Sequence, residues 1–156
     1  MRVVLTQAEK TRARDEAIKR QDDAIAKRRH ARYGNPTDDY EAHIIGAMGE
    51  LAVAKALKIE WDGNFGDLGA ADVGSYQVRS TKHAGGGLIV HPGEKGVFIL
   101  VTGKDGVYDI RGWAMAGDVQ NPLYWKGGWS RPAFLMPQIA LNPMHSLPVL
   151  AHSDRR

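Results

Sequence analysis

Five consecutive apolar residues, Val97-Phe98-Ile99-Leu100-Val101, constrain this chain more than any other stretch. A β-strand sends alternate side chains to opposite faces, so an uninterrupted apolar run has to be covered on both. The run predicts a central strand, with helices helping to cover it. From residue 61 onward, short β-branched and aromatic runs predict four more strands, near 68–73, 76–81, 88–91 and 107–115. Glycine-rich connections at 84–87, 103–106 and 127–128 mark turns between or after them. Beyond residue 121 the chain is rich in Pro and Trp, which predicts irregular wrapping structure with one short helix at 137–141.

The first 60 residues read as helical. Thr6-Gln7-Ala8-Glu9 has the form of a capping box, in which the Thr hydroxyl and the Glu carboxylate each satisfy an early backbone N–H. The helix it opens can run to about Arg32, since Gly34-Asn35-Pro36 is the first firm stop. Its apolar stripe is thin, and it is expected on the surface. A second helix follows over about 39–57, capped by Thr37, Asp38 or Asp39. From Ile44 to Leu57 it is apolar or small around most of its circumference, which predicts burial. The expected fold is α/β: a mixed, mainly antiparallel central sheet flanked by helices, with a basic helix at 1–35 and an α/β domain at 36–156.

Composition narrows the classes. A chain of 156 residues suits one domain with a real core. Its 43% apolar and 25% charged residues are ordinary for a globular protein, and no run approaches the ~18 apolar residues of a membrane span. The apolar stretch at Val3-Val4-Leu5 is too short for a secretory core region. With no cysteine there is no disulfide framework, thiolate metal site or cysteine nucleophile. A cytoplasmic location is expected. The net charge of +3 is uneven: residues 1–34 carry ten Lys or Arg against five acids, residues 35–156 eleven against thirteen. A basic segment with Lys27, Arg28 and Arg29 at its end can contact phosphates by counterion release. The other readings of that helix are a solvated, charge-laced surface and an element of packing or of a homodimer.

Two features carry chemistry. Glu50 projects from the apolar helix, its neighbours at three and four residues being Gly46, Ala47, Val53 and Ala54. A carboxylate there has to be paired, hydrogen-bonded or bound to a metal, unless it sits at the rim of the face. In Asp72-Val73-Gly74-Ser75-Tyr76-Gln77, a Gly-Ser turn pairs Val73 with Tyr76 and places Asp72 opposite Gln77. Arg79, two residues on, shares the face of Gln77. An ordinary polar hairpin face is the alternative. Oxygen ligands from Glu50, Asp72 and Gln77 would suit Mg2+ or Mn2+, and such an ion matches phosphodiester hydrolysis.

Helix Glu50, hairpin Asp72 and the strand Gln77-Val78-Arg79 resemble the active site of the PD-(D/E)XK, or restriction-endonuclease-like, nuclease superfamily. The resemblance covers roughly residues 40–115. It is closest to a variant frequent in bacteriophage genomes, and Ile110-Arg111-Gly112-Trp113 and Pro137-Gln138-Ile139-Ala140-Leu141 match its later segments. The resemblance implies a restriction-endonuclease-like core and a metal-dependent nuclease acting on DNA or a branched intermediate, in the host cell's cytoplasm if the chain is phage-encoded. It implies Asp72 as the central metal ligand, Gln77 in the place of a second acid with the Val78 carbonyl contributing, and Glu50 orienting metal-bound water. Two positions depart from the pattern. Gln77 is neutral and lowers the negative charge of the site by one. Arg79 stands where lysine is expected, and a guanidinium cannot act as a general base. Its remaining role is electrostatic. A nuclease-like fold that has lost catalysis and only binds nucleic acid or protein is the rival reading.

Lys82 and His83 follow the strand and are candidate phosphate contacts, although Lys82 falls on the opposite face by strand period and a loop histidine is commonly solvated. Gly85-Gly86-Gly87 lacks the Lys-Ser or Lys-Thr of a phosphate loop and reads as a mobile connection near the site. Trp125 and Trp129, flanked by Lys126 and Arg131, could stack bases, but packing is the favoured reading of these tryptophans.

Overall fold

The computed structural model describes residues 1–27, 36–61 and 72–149. Strand β1 (Arg2–Val4) leads into helix α1 (Gln7–Lys27), and helix α2 spans Pro36–Leu57. Then come β2 (Tyr76–Thr81), β3 (Leu88–Val90), β4 (Val97–Lys104) and β5 (Val107–Met115). A four-residue helix α3 (Ala116–Val119) and strands β6 (Trp125–Lys126) and β7 (Ala133–Met136) complete the elements, with single 3-10 turns at Pro122–Tyr124, Gln138–Ala140 and Met144–Ser146. The fold is α/β with a mixed sheet. No helix among the described residues is long and apolar enough to cross a membrane.

The main sheet has the order β1-β5-β4-β2. β4 is its centre, pairing parallel with β2 and antiparallel with β5. The β4–β5 hairpin turns on Asp105 and Gly106, both with positive φ (56° and 89°), the backbone an Asp-Gly loop adopts most readily. Residues Val97 to Thr102 are all buried, as the apolar run requires. One face of the sheet packs Val78, Ile99, Val101, Tyr108 and Ile110 against Leu51, Ala52, Val53 and Ala54 of α2. The other face, with Phe98, Leu100 and Ala114, is covered by a second sheet of order β3-β7-β6. The long helix α2 therefore covers one face of the central strand, while the short α3 adds Ala116 and Val119 to the cluster on the other. β3 belongs to the second sheet because its partner is β7, a four-residue strand inside the Pro-rich region that shows no periodic signal.

Ile110 and Ala114 lie four residues apart, yet they face opposite sides of the sheet. A bulge explains this: Leu100 pairs with Gly112 and Val101 with Ile110, so Arg111 has no partner in the ladder. A Cβ on Gly112 would stand 2.6 Å from the Asn142 carbonyl oxygen, and Trp113 Nε1 donates to the Pro143 carbonyl at 3.1 Å. The Ile-Arg-Gly-Trp segment thus docks the C-terminal region on the sheet.

Helix α1 starts at the capping box: Thr6 N–H donates to Glu9 Oε1 at 2.7 Å, and Glu9 N–H to Thr6 Oγ1 at 3.1 Å. It is not merely superficial. Ala13 and Ala17 are fully buried and Gln21 nearly so, small side chains that let α1 lie close along α2. Helix α2 in turn approaches β2 closely through Gly49, where a Cβ would stand 1.8 Å from Ser80 Oγ and 2.9 Å from Ser80 Cβ. Gly49→Ala is expected to destabilise the protein by about 1–3 kcal/mol through overpacking. Gly46→Ala, with nothing within 4 Å of its added Cβ, should stabilise by about 0.5–1 kcal/mol through helix propensity. Urea midpoints of the two variants check both signs.

Candidate functional site at the β2 edge

The apolar character of α2 buries Glu50, which is 6% exposed. Helix α1 supplies its counter-charge. Arg20 grips both oxygens, Nη1 to Oε2 at 3.0 Å and Nη2 to Oε1 at 2.7 Å, with each side chain under a tenth exposed. Trp61 Nε1 adds a third hydrogen bond, to Oε1, at 3.1 Å. Arg12, also on α1, donates to the Trp61 carbonyl and lies 5.0 Å from the centre of its ring. Glu50 is therefore a fully coordinated buried carboxylate rather than one at a rim. The sequence gives no signal for Arg20, since it is one of several cations on a helix with a weak stripe.

Asp72 sits beside β2, the edge strand of the main sheet among the described residues. Val73 and Tyr76 form the expected bridge around Gly74, whose φ is 56°. Beyond that bridge the ladder is irregular, because the N–H groups of Asp72 and Val73 both donate to the Tyr76 carbonyl, at 3.0 and 3.1 Å. The Asp72 carboxylate turns onto the edge itself and accepts the Val78 N–H at 2.9 Å. Burial, and then the negative charge of Glu50, push its pKa up to about 6; the Val78 N–H, Arg79 and Arg20 pull the other way and do not win. Two carboxylates with a net unfavourable field between them are what a bound cation relieves.

Gln77 and Arg79 alternate with Val78 and share a face, as the strand period requires, opposite Phe98 and Leu100 of β4. That face looks toward the second sheet, while Val78 looks toward α2. Asp72, at the edge between the two faces, feels both Glu50 and Arg79. Arg79 is held in place: its guanidinium lies 4.8 Å from the Phe98 ring centre and donates to Glu94 Oε2. Glu94 also accepts the His91 N–H at 2.6 Å. Burial alone would raise the Glu94 pKa, but the His91 N–H and Arg79 hold it below its ordinary value. Glu94 lies in the loop after β3, without a neighbouring pattern that could have marked it.

Lys82 reaches Glu41 of α2 at 3.3 Å in a half-exposed pair, and His83 is exposed just past β2. The glycine loop after it is tied to the C-terminal region, where Gln138 Nε2 donates to the carbonyls of Ala84 and Gly86 at 2.7 and 2.8 Å. Of the N-terminal cations, Arg28 and Arg29 lie outside the described residues, as do the side chain of Lys27 and most of the strand expected at 68–73. Helix α1 itself carries six Lys or Arg against five acids, so its charge nearly cancels. Arg12 and Arg20 are spent on Trp61 and Glu50; Lys10 and Arg14 line a cavity of about 250 Å³ with Gln7, Thr11, Met48 and Asp105.

Among the described residues, no three His, Asp or Glu side chains form a group that could hold a metal ion. Carboxylate and amide oxygens, the donor types of Asp72 and Gln77, are those a hard cation takes together with several waters. The charge that burial makes unfavourable on Asp72 is the observation behind that fit. Compared with models of protein families, with curated proteins and with solved structures, the chain matches none of them.

Proposed function

We propose that the β2 edge is a cation-dependent phosphodiesterase site acting on DNA, built on a restriction-endonuclease-like core of the PD-(D/E)XK type. The observation that carries this reading is the half-buried Asp72 carboxylate, turned onto a strand edge within the field of Glu50 and raised to a pKa of about 6. Asp72 and Gln77 would hold Mg2+ or Mn2+, with Glu50 behind them. Such an ion, when bound, supplies an acidified water and neutralises charge on a scissile phosphate. Asp72 is fixed by the Val78 N–H, so its carboxylate is aimed before any ligand arrives. Glu50, locked by Arg20 and Trp61, sets the field at Asp72 rather than shuttling protons. Arg79 carries a permanent charge, positioned by Glu94, toward an anionic substrate. The absence of cysteine fits a reducing cytoplasm, that of the host if the chain is phage-encoded.

One observation favours a second reading. The two groups most needed for catalysis are each neutralised, Glu50 by Arg20 and Arg79 by Glu94. A nuclease-like fold in this state binds nucleic acid without cutting it. Plasmid cleavage in Mg2+ or Mn2+ separates the readings. The nuclease reading predicts cleavage by the wild type that is lost in Asp72→Ala and in Glu50→Ala, with circular dichroism confirming that each variant is folded. Cleavage unchanged in both variants would overturn the assigned site. Salt-sensitive binding with no cleavage by the wild type establishes the second reading.

A further inference from the structure

The connection through β6 to β7 is an exposed hairpin of unusual composition. Residues 121–132 read Asn-Pro-Leu-Tyr-Trp-Lys-Gly-Gly-Trp-Ser-Arg-Pro, with three aromatic rings, two cations and no acid. All of them are exposed except Tyr124, which is half-buried. Trp125 remains 44% exposed although its ring meets Phe134 with centroids 4.8 Å apart, and Trp129 is 39% exposed. Trp61, by contrast, is 2% exposed. Packing, the reading favoured from sequence, accounts for part of the surface of the hairpin tryptophans and leaves about two fifths of each open.

The hairpin holds these rings in place. Trp125 pairs with Phe134 and Lys126 with Ala133 across β6 and β7. A Cβ on Gly127 would stand 2.6 Å from Trp125 Nε1, so the glycine leaves room for the indole to lie against the turn. The Trp129 N–H donates to the Lys126 carbonyl across the same turn, which sets the second ring just beyond it. Among the described residues, no ion pair engages Lys126 or Arg131. Exposed indoles alternating with unengaged cations, and without a carboxylate to repel an anion, match unpaired bases on a phosphate backbone. In a duplex the base faces are covered by their neighbours, so these rings select single strands.

We propose that the 121–132 hairpin is a single-strand nucleic-acid site, in which Trp125 and Trp129 stack on bases while Lys126 and Arg131 take backbone phosphates. It rests on the reading of the chain as a nucleic-acid-acting protein, and it names the form of substrate held. The test is titration of the full chain with a twelve-residue oligothymidylate in EDTA, read by tryptophan emission, with the matching duplex alongside. Quenching by the single strand and weaker binding of the duplex are expected. Trp125→Ala and Trp129→Ala should each weaken binding by about 5- to 150-fold, whereas the Phe variants retain most of it. Replacing both Lys126 and Arg131 by Ala should lower the slope of log affinity against log salt by about 1.4.

Stacking is read by quenching in EDTA and catalysis by plasmid cleavage in Mg2+ or Mn2+, so that loss of cleavage and loss of stacking are separate results. Alanine variants that keep the wild-type melting temperature and bind with unchanged affinity would overturn the proposal. So would self-association of the wild type that disappears in Trp129→Ala without any quenching, which would make the hairpin a protein interface. Metal-dependent cleavage with no quenching would remove this site and leave the catalytic reading standing.

Discussion

Replacing Arg20 by methionine is expected to destabilise the protein by about 3–5 kcal/mol, among the largest effects any single substitution here can have. The cost comes from what is left behind. Glu50 is 6% exposed, and without Arg20 its charge keeps, among the described residues, the Trp61 N–H as a partner. Glu50→Gln should also destabilise, because the Trp61 N–H keeps an acceptor while the Arg20 guanidinium, 9% exposed, loses its carboxylate. The double variant Arg20→Met with Glu50→Leu removes both charges and should recover most of the stability, since well-packed apolar groups replace buried pairs at little net cost. Urea unfolding of the three variants reads this directly. If Arg20→Met and the double variant were equally unstable, the penalty would lie in packing and not in an orphaned carboxylate. The same geometry warns against deleting residues 1–34 to test nucleic-acid contact, because the deletion takes Arg12 from Trp61 and Arg20 from Glu50.

Asp72→Asn is expected to move activity and stability in opposite directions. Metal-dependent cleavage should fall by at least about 100-fold, the scale of losing one preorganised electrostatic group. Stability at pH 7 should rise by about 1–3 kcal/mol, because Asn can accept the Val78 N–H without carrying a charge the site disfavours. The sign follows from the raised pKa. The folded protein binds this proton more tightly than the unfolded chain does, with a pKa of about 6 against an ordinary 3.8. Stability is therefore lost as pH climbs from about 4 to 6, and the penalty is complete above that range. The variant lacks this dependence, so the two proteins should converge in stability near pH 4 and differ most at pH 7. A purely structural ion-pair network predicts the reverse, a variant that is less stable at neutral pH.

The parts of the fold legible from sequence are those with strong local causes. The Val97–Val101 run marked the central strand, the Thr6–Glu9 box marked the start of α1, and Gly74-Ser75 marked the Val73–Tyr76 bridge. What escaped depends on distant partners. Nothing near Arg20 says that Glu50 waits thirty residues away, and nothing near Glu94 says that Arg79 will reach it. β1 is three residues long and β7 four, so neither has enough alternation to register, yet together they decide the sheet edges and the second sheet. Arg79 stood out in the sequence as an unusual substitute for lysine; its Glu94 partner makes it a fixed charge.

The most direct test is calorimetric titration of Mn2+ at pH 6, in two buffers of different ionisation enthalpy. If Asp72 is a ligand, one site should release about half a proton at pH 6 and almost none at pH 8, because the carboxyl has to ionise before it binds. Asp72→Asn should show no such site. Absence of Mn2+ binding by the wild type, or equal binding by the variant, would contradict the account of the β2 edge as a cation-dependent centre.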